Sequence, residues 1–240
     1  MDVSWLSGIS ESFNKKAFYF STELINDQVS LHTSHNPESY IPLLHDNTAA
    51  GPDYFEAVER NCKQTLFNTF VKMQQKIDLD TPVAIVDVPR GGLPLSDAAA
   101  TVFSKRAFTR SFSSQIKTDA QNLFPAELDF TQTKHLVLAD GIIGTGSTIV
   151  QHLDQIPQDW DGTVYIANNA LAELGLEAIC NAAEDRKFKM HIMTGRIYSK
   201  AECDYITFDN GKTVYFVGMA DGIPDFGDKV TDSIEEYKPN

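Results

Sequence analysis

One run holds most of the chemistry that this chain could do: Leu138-Ala139-Asp140-Gly141-Ile142-Ile143-Gly144-Thr145-Gly146-Ser147-Thr148-Ile149. An acid ends an apolar stretch, and a cluster of Gly, Thr and Ser then opens a segment that reads as a helix. The first N–H groups of a helix lack partners within it and sit at the positive end of its dipole, and the hydroxyls of Thr145, Ser147 and Thr148 add rotatable donors. Such a turn is a cup for a phosphate. Two other nucleotide-binding turns are excluded by spacing. The ATP- and GTP-binding loop requires Lys directly after its last glycine, where Ser147 stands, and the dinucleotide fingerprint requires Gly or Ala at position 149, which is Ile.

Two further segments carry chemistry. Val88-Pro89-Arg90-Gly91-Gly92-Leu93-Pro94 places a guanidinium fork, suited to diphosphate oxygens, beside glycines that allow close backbone approach. Near the end, Gly222-Ile223-Pro224-Asp225-Phe226-Gly227-Asp228-Lys229 follows Met219. With the hydrophobic strand, acid and Thr-Gly cup, these segments resemble phosphoribosyltransferases that use phosphoribosyl diphosphate. Asp140 to Thr148 is similar to the Asp-Pro-Met-Leu-Ala-Thr-Gly-Gly-Ser segment of uracil phosphoribosyltransferases, with Gly141 in place of proline. Val88 to Pro94 resembles the family's upstream Leu-Arg-Ala-Gly-Leu segment, and Gly222 to Lys229 its carboxyl-terminal Gly-Leu-Gly-Asp signature. The likeness spans about residues 53–231, with the three motifs in the family's order.

The resemblance implies a type I phosphoribosyltransferase fold and a pentosyl transfer from phosphoribosyl diphosphate to a nucleobase, uracil first, giving UMP and diphosphate. It implies that Asp140 faces the ribose, that Gly141, Ile142, Ile143, Gly144, Thr145, Gly146, Ser147 and Thr148 hold the sugar phosphate, and that Arg90, Gly91 and Gly92 meet the diphosphate, with a non-proline cis bond at Arg90-Gly91. Base reading falls to Met219, Gly222, Ile223, Pro224, Asp225 and Phe226, with Asp225 also placed for proton transfer. Arg110, in a stretch expected to hold a mobile loop, is the basic candidate for the diphosphate, with Lys117 beside it. Magnesium would arrive on the substrate rather than on dedicated protein ligands, a homodimer is expected, and GTP is a candidate effector. Pro224 stands where the family has glycine and removes an N–H from the base loop. Transfer to another nucleobase, or nucleotide binding without turnover by a regulator of this fold, therefore stay open.

These residues must be positioned by alternating strands and helices. Val83 to Val86 and His135 to Ala139 are short apolar runs of the kind buried on both faces of a parallel sheet, each followed by a turn and a helix, from about Leu93 to Lys105 and from Ser147 to Gln155. Thr163 to Ala167 predicts another strand and Ala170 to Ala183 another helix, while Tyr205 to Phe208 and Thr213 to Val217 flank Asn210-Gly211 as an antiparallel hairpin. The result is an α/β fold with helices on both faces. Phe55, Val58, Cys62, Leu66, Phe70 and Met73 recur at helical steps and predict a long amphipathic helix, suited to the core or a dimer face. Residues 1–52 read as an irregular N-terminal extension packed on a 53–240 catalytic domain, with a short edge strand near Ala17 to Phe20.

Composition excludes several classes. The 240 residues include 20 Lys+Arg against 33 Asp+Glu, a formal charge of -13, the wrong sign for binding nucleic acid through its phosphates. No apolar run approaches the ~18 residues of a membrane span, and the first residues lack the apolar core of a secretory signal, so a cytoplasmic protein is expected. Cys62, Cys180 and Cys203 form no CxxC pair. His32 and His35 have a helical metal spacing but lie in a turn-rich leader, and His135, at a strand start, reads as structural.

Overall fold

The structure, a computed structural model, describes residues 19–35, 82–88, 92–103, 109–113, 123–124, 126–198, 203–207 and 213–217. Among them are β1 (Tyr19–Leu24), β2 (Val29–His35), β3 (Val83–Asp87), α1 (Leu93–Phe103), β4 (Thr109–Ser113), β5 (His135–Ala139), β6 (Ile142–Ile143), α2 (Ser147–Gln155), β7 (Thr163–Ala172), α3 (Glu173–Ala183), β8 (Lys189–Tyr198), β9 (Cys203–Thr207) and β10 (Thr213–Val217). The predicted helix over 53–74 and the carboxyl-terminal segment from Met219 lie outside the described residues.

The main sheet runs β1-β2-β8-β7-β5-β3-β4, with β6 added beside β7. Every pairing in it is parallel except β1 with β2. Strands buried on both faces are apolar along nearly their whole length, and β3 is buried throughout, apolar from Val83 to Val86 with Asp87 at its carboxyl end. Register places Val86, Leu138, Ile166, Ile192 and Leu31 in one row across five strands, and all five belong to one buried cluster with Ile149, Leu153, Leu176 and Ile179 of α2 and α3. On the opposite face α1 lies against β3, β4 and β5, burying Leu95, Ala98, Ala99 and Phe103.

The direction of winding follows from the order. From β3 the chain crosses outward to β4, whereas from β5 it crosses the other way to β7 and β8. Right-handed crossovers in opposite directions put α1 on one face and α2 with α3 on the other. The reversal falls between β3 and β5, and open parallel sheets bind ligands beyond the carboxyl ends of the strands at such a point.

Several elements differ from the sequence reading. The leader is not irregular throughout: β1 and β2 form a hairpin whose second strand pairs with β8, extending the sheet. β7 continues to Ala172, so the helix expected from Ala170 begins at Glu173. β4 and β8 were not anticipated, and α1 is described as far as Phe103, with 104–105 outside the described residues. The late hairpin is present, with Thr207 opposite Thr213. No helix among the described residues is long and apolar enough to cross a membrane.

Two buried polar groups hold α2 at its ends. Arg186, 6% exposed, sends Nη2 to the carbonyls of Leu153, at 2.8 Å, and Ile156. A cation there answers both the carbonyls at the helix end, of which Leu153's also accepts the Ile156 N–H, and the negative end of the helix dipole. His152, fully buried, uses Nδ1 to bond the Thr148 carbonyl at 2.8 Å while Nε2 has no partner. With a carbonyl as partner, Nδ1 carries the hydrogen. Burial pulls its pKa below the ordinary 6.5, against a smaller opposing effect of the Thr148 bond. The unfolded chain thus takes up the proton first, so this group's contribution to stability is complete above 6.5 and is lost as pH falls from there toward the depressed folded value, by at most ~1.4 kcal/mol per pH unit for one proton. Melting curves across that range should show the loss in the wild type and a flatter profile in His152→Leu; equal profiles would remove His152 as the cause.

Candidate active site

The two glycine-bearing turns meet at the point of reversal. Val88 N–H donates to the Ala139 carbonyl at 2.8 Å, and Gly92 N–H donates back to the Val88 carbonyl at 2.9 Å, folding the turn after β3 against the end of β5. A Cβ on Gly92 would lie 2.1 Å from the Ala139 oxygen and 2.7 Å from both Val88 N and O. Only glycine lets the turn sit this close to Asp140. Residues 89–91, with Arg90, Gly91 and the bond between them, lie outside the described residues.

Beyond Ala139 the chain does not leave the sheet at once. Asp140 N–H donates to the Ala167 carbonyl at 3.0 Å, Asn169 N–H donates to the Gly141 carbonyl at 3.0 Å, and Ile142 and Ile143 pair with Ala170 and Leu171. The extra length of β7 is what supports the cup from below. Asp140, Ile142, Ile143, Gly144, Thr145, Gly146, Ser147, Thr148 and Ile149 then line a hollow of about 60 Å³. Gly141 is buried beneath it, and Ile149, which was not expected there, joins the lining. Ser147 is exposed, and Gly144, Thr145, Thr148 and Asp140 are half-buried, so the cup is open to solvent.

Local geometry explains the residue types. Gly146 is the N-cap of α2 with φ 76°, in the left-handed region that glycine adopts without strain. No side chain caps α2 at that position. The Thr145 hydroxyl donates to Ser147 Oγ at 3.2 Å and accepts the Ser147 N–H at 3.4 Å, a long bond. The amides of Thr148 and Ile149 fall in the first helical turn, where no intrahelical carbonyl can reach them. Their open face and the helix dipole supply a positive site without a basic side chain.

A residue that sequence reasoning passed over fixes the cup's depth. Gly175, in α3, packs its backbone under the turn: a Cβ there would lie 2.6 Å from the Gly144 oxygen and 2.9 Å from Ile143 Cγ2, and one on Gly146 would lie 2.8 Å from the Gly175 oxygen. An isolated glycine inside a helical pattern is the signal that could have exposed this contact. In Gly175→Ala, better helix propensity contributes about 1 kcal/mol, while overpacking against backbone costs about 1–3 kcal/mol. The melting point should therefore change little or fall modestly, whereas affinity for ribose 5-phosphate, measured by titration calorimetry, should drop ~10-fold or more because the cup is displaced. Unaltered affinity would show that Gly175 does not set the cup.

The remaining expected residues are placed differently. Arg110 lies within β4 opposite Ala84, near the strand's amino end, so roughly 10 Å of strand separates it from Ser113 at the site's level. It stands on a strand rather than in a loop. Lys117, Met219, Gly222, Ile223, Pro224, Asp225 and Phe226 fall outside the described residues. His32 is buried on β2 with Nε2 3.0 Å from His191 Nδ1, and His191 stacks on Tyr165 at 5.4 Å. His135 Nδ1 lies 3.3 Å from the Tyr165 hydroxyl. These side chains form a row across the sheet. Among the described residues no three His, Cys, Asp or Glu side chains could together hold a metal ion.

The same strand that supports the cup carries two buried amides, Asn168 and Asn169. Asn168 Oδ1 accepts from Thr194 Oγ1 at 2.6 Å, while its Nδ2 has no hydrogen-bond partner. A buried unpaired donor costs about 1–3 kcal/mol, so its retention calls for an explanation.

No family model matches the chain, and no curated protein matches it. Solved structures do. The AQ2163 protein from Aquifex aeolicus is similar at TM-score 0.54 and 16% identity, over 82% of this chain and 97% of that one, which shows a shared fold. Weaker likenesses are the adenine phosphoribosyl transferase from Trypanosoma brucei, at TM-score 0.39 and 11% identity over 77% of this chain and 78% of that one, and the purine phosphoribosyltransferase from Pyrococcus horikoshii Ot3, at 0.36 and 14% over 57% and 86%. At these scores the two transferases carry no inference.

Proposed function

We propose that the chain is a phosphoribosyltransferase of the type I kind that moves ribose 5-phosphate from phosphoribosyl diphosphate to a nucleobase, with uracil as the acceptor and UMP and diphosphate as products. The observation that carries this reading is the single hollow at the point of sheet reversal in which Asp140 faces the Thr145 to Ile149 helix start. A polar cup for one phosphate and an acid beside it match a sugar phosphate better than a free anion, because a carboxylate next to an anion site needs hydroxyl groups or a cation between them.

The reaction passes through cationic character at the anomeric carbon as diphosphate leaves, so positioning and electrostatics supply the acceleration. In this reading the amides and hydroxyls of Gly144 to Thr148 fix the 5-phosphate. Asp140 accepts hydrogen bonds from the ribose hydroxyls and sets negative charge near the developing cation. Gly92 keeps the preceding turn close to Asp140, and Arg90 with Gly91 belongs to the diphosphate side. Asp225 with the segment from Met219 through Phe226 reads the base, with Pro224 shaping which base is taken.

The donor set suits magnesium that arrives on the diphosphate: among the described residues Asp140 is the one acid lining the hollow, too few for a cage, and magnesium keeps several waters. When bound it would neutralise diphosphate charge, and Asp140 would be the lining residue able to hold it. A homodimer, through the amphipathic residues 55–73, belongs to the same reading.

The test is incubation of the protein with magnesium, phosphoribosyl diphosphate and a panel of nucleobases while diphosphate release is followed. Release with uracil alone is the expected result. Release with another base moves the acceptor, and binding without release with any base replaces the enzyme by a nucleotide-binding regulator.

A further inference from the structure

Within the reading above, one buried residue of β7 has a geometry that no structural duty accounts for. Pairing of β5 with β7 ends at Ala139 and Ala167, and the bond from the next N–H, of Asp140, to the Ala167 carbonyl keeps Asp140 beside Asn168 where the ladder breaks. Asn168 in turn pairs with Thr194 of β8, and Thr194 with Thr33 of β2. Three polar residues thus stand in one row across the carboxyl ends of β7, β8 and β2, with Asp140 directly beyond the end of β5, two positions after the apolar row Leu138, Ile166, Ile192 and Leu31. Thr33, Asn168 and Thr194 are buried, at 2%, 0% and 0% exposure, and Asp140 opens onto the hollow.

The Thr194 hydroxyl pins one end of the Asn168 amide from the β8 side. The trigonal carbon then directs the other end away from β8, and that end, Nδ2, is buried without a hydrogen-bond partner. Exchanging the amide's oxygen and nitrogen would not remove the difficulty, since Thr194 can serve only one end. An Asn is also a poor strand residue, and Asn168 occupies the middle of a ten-residue strand.

We propose that Asn168 is a positioning residue: its Nδ2–H is a donor held for the Asp140 carboxylate, taken up when a sugar phosphate fills the cup and Asp140 turns to the ribose hydroxyls. The bond orients the carboxylate from behind, leaves its other lone pairs for the ribose and favours its charged form. Thr194 acts behind it, as the contact that holds the amide from the β8 side.

The test uses the wild-type protein labelled with ¹⁵N and ¹³C, the Asn168 side-chain NH₂ being assigned through its own Cβ, and titrated with ribose 5-phosphate and magnesium. The expected result is that the Asn168 NH₂ resonances move downfield with the same midpoint as the backbone amides of Thr148 and Ile149. Movement of the cup amides with a stationary Asn168 overturns this inference and leaves the functional reading standing. If neither set moves, the functional reading fails and the inference falls with it. In kinetics, Asn168→Ala should lower kcat about 10- to 100-fold, as for loss of a hydrogen bond to a charged group, with little change in KM, and shift the acid limb of the kcat profile to higher pH. An acid limb at its wild-type position would contradict the role even if kcat fell.

Discussion

Asp140→Asn should fold as the wild type does and turn over about 100- to 1,000-fold more slowly. The backbone of Asp140 is held by its N–H bond to the Ala167 carbonyl, and an amide of the same shape preserves that bond and the half-buried position at the lip of the hollow. What changes is charge. A carboxylate beside the ribose stabilises the cation that develops as diphosphate departs, and removing one preorganised electrostatic partner from an active site costs about 10²–10³ in kcat. Ground-state binding of ribose 5-phosphate, which depends on the cup, should change far less. Diphosphate release, a calorimetric titration and a melting curve on the same preparation check the three parts. Turnover within a factor of two of the wild type would remove Asp140 from the chemistry.

The second large effect is expected at Gly92→Ala, where stability and function should fall together. The added Cβ would meet the Ala139 oxygen at 2.1 Å and the Val88 backbone at 2.7 Å. These contacts are with backbone, so no side chain can swing aside. Relief requires the turn after β3 to move off the end of β5, breaking the Val88 to Ala139 bond and the Gly92 to Val88 bond that open α1. A clash of this kind costs roughly 3 kcal/mol or somewhat more, which for a chain of this size is a fall of roughly 6–12 °C in Tm. Residual folded protein should bind phosphoribosyl diphosphate poorly, since the turn carrying Arg90 has lost its seat beside Asp140. A variant with an unchanged Tm would show that the turn has slack the geometry does not allow for.

How much of this was legible from sequence depends on where local signals agreed with tertiary demands. β3 and β5 are short apolar runs ended by turn residues, and α2 follows a glycine cap and carries period-3.6 apolar positions, so local preference and final structure coincide. The site was legible for the same reason: spacing after Asp140 excludes competing motifs. β7 shows the opposite case. Asn168-Asn169 reads as a break, and Ala170-Leu171-Ala172 as helix, yet pairing with β6 and β8 keeps all five residues extended. Tertiary pairing overrides propensity there, and it does so to carry the cup. β8 escaped notice because His191, Thr194, Gly195 and Arg196 interrupt its apolar positions, although Met190, Ile192, Met193 and Ile197 are buried. Turn formers around it mask the hairpin of β1 and β2, and nothing in the neighbourhood of Arg110 signals a strand. Gly175 and Asn168 matter through backbone contact and cross-strand position, which no single stretch of sequence displays.

The central claim is that the helix start at Gly144 to Thr148 takes the phosphate of a sugar whose hydroxyls face Asp140. A crystal structure of the protein with ribose 5-phosphate and magnesium tests it most directly. The phosphate should lie on the amides of the first turn of α2, with a ribose hydroxyl within hydrogen-bond distance of the Asp140 carboxylate. A phosphate bound at another place on the sheet, or one in the cup with its ribose turned away from Asp140, would contradict the account.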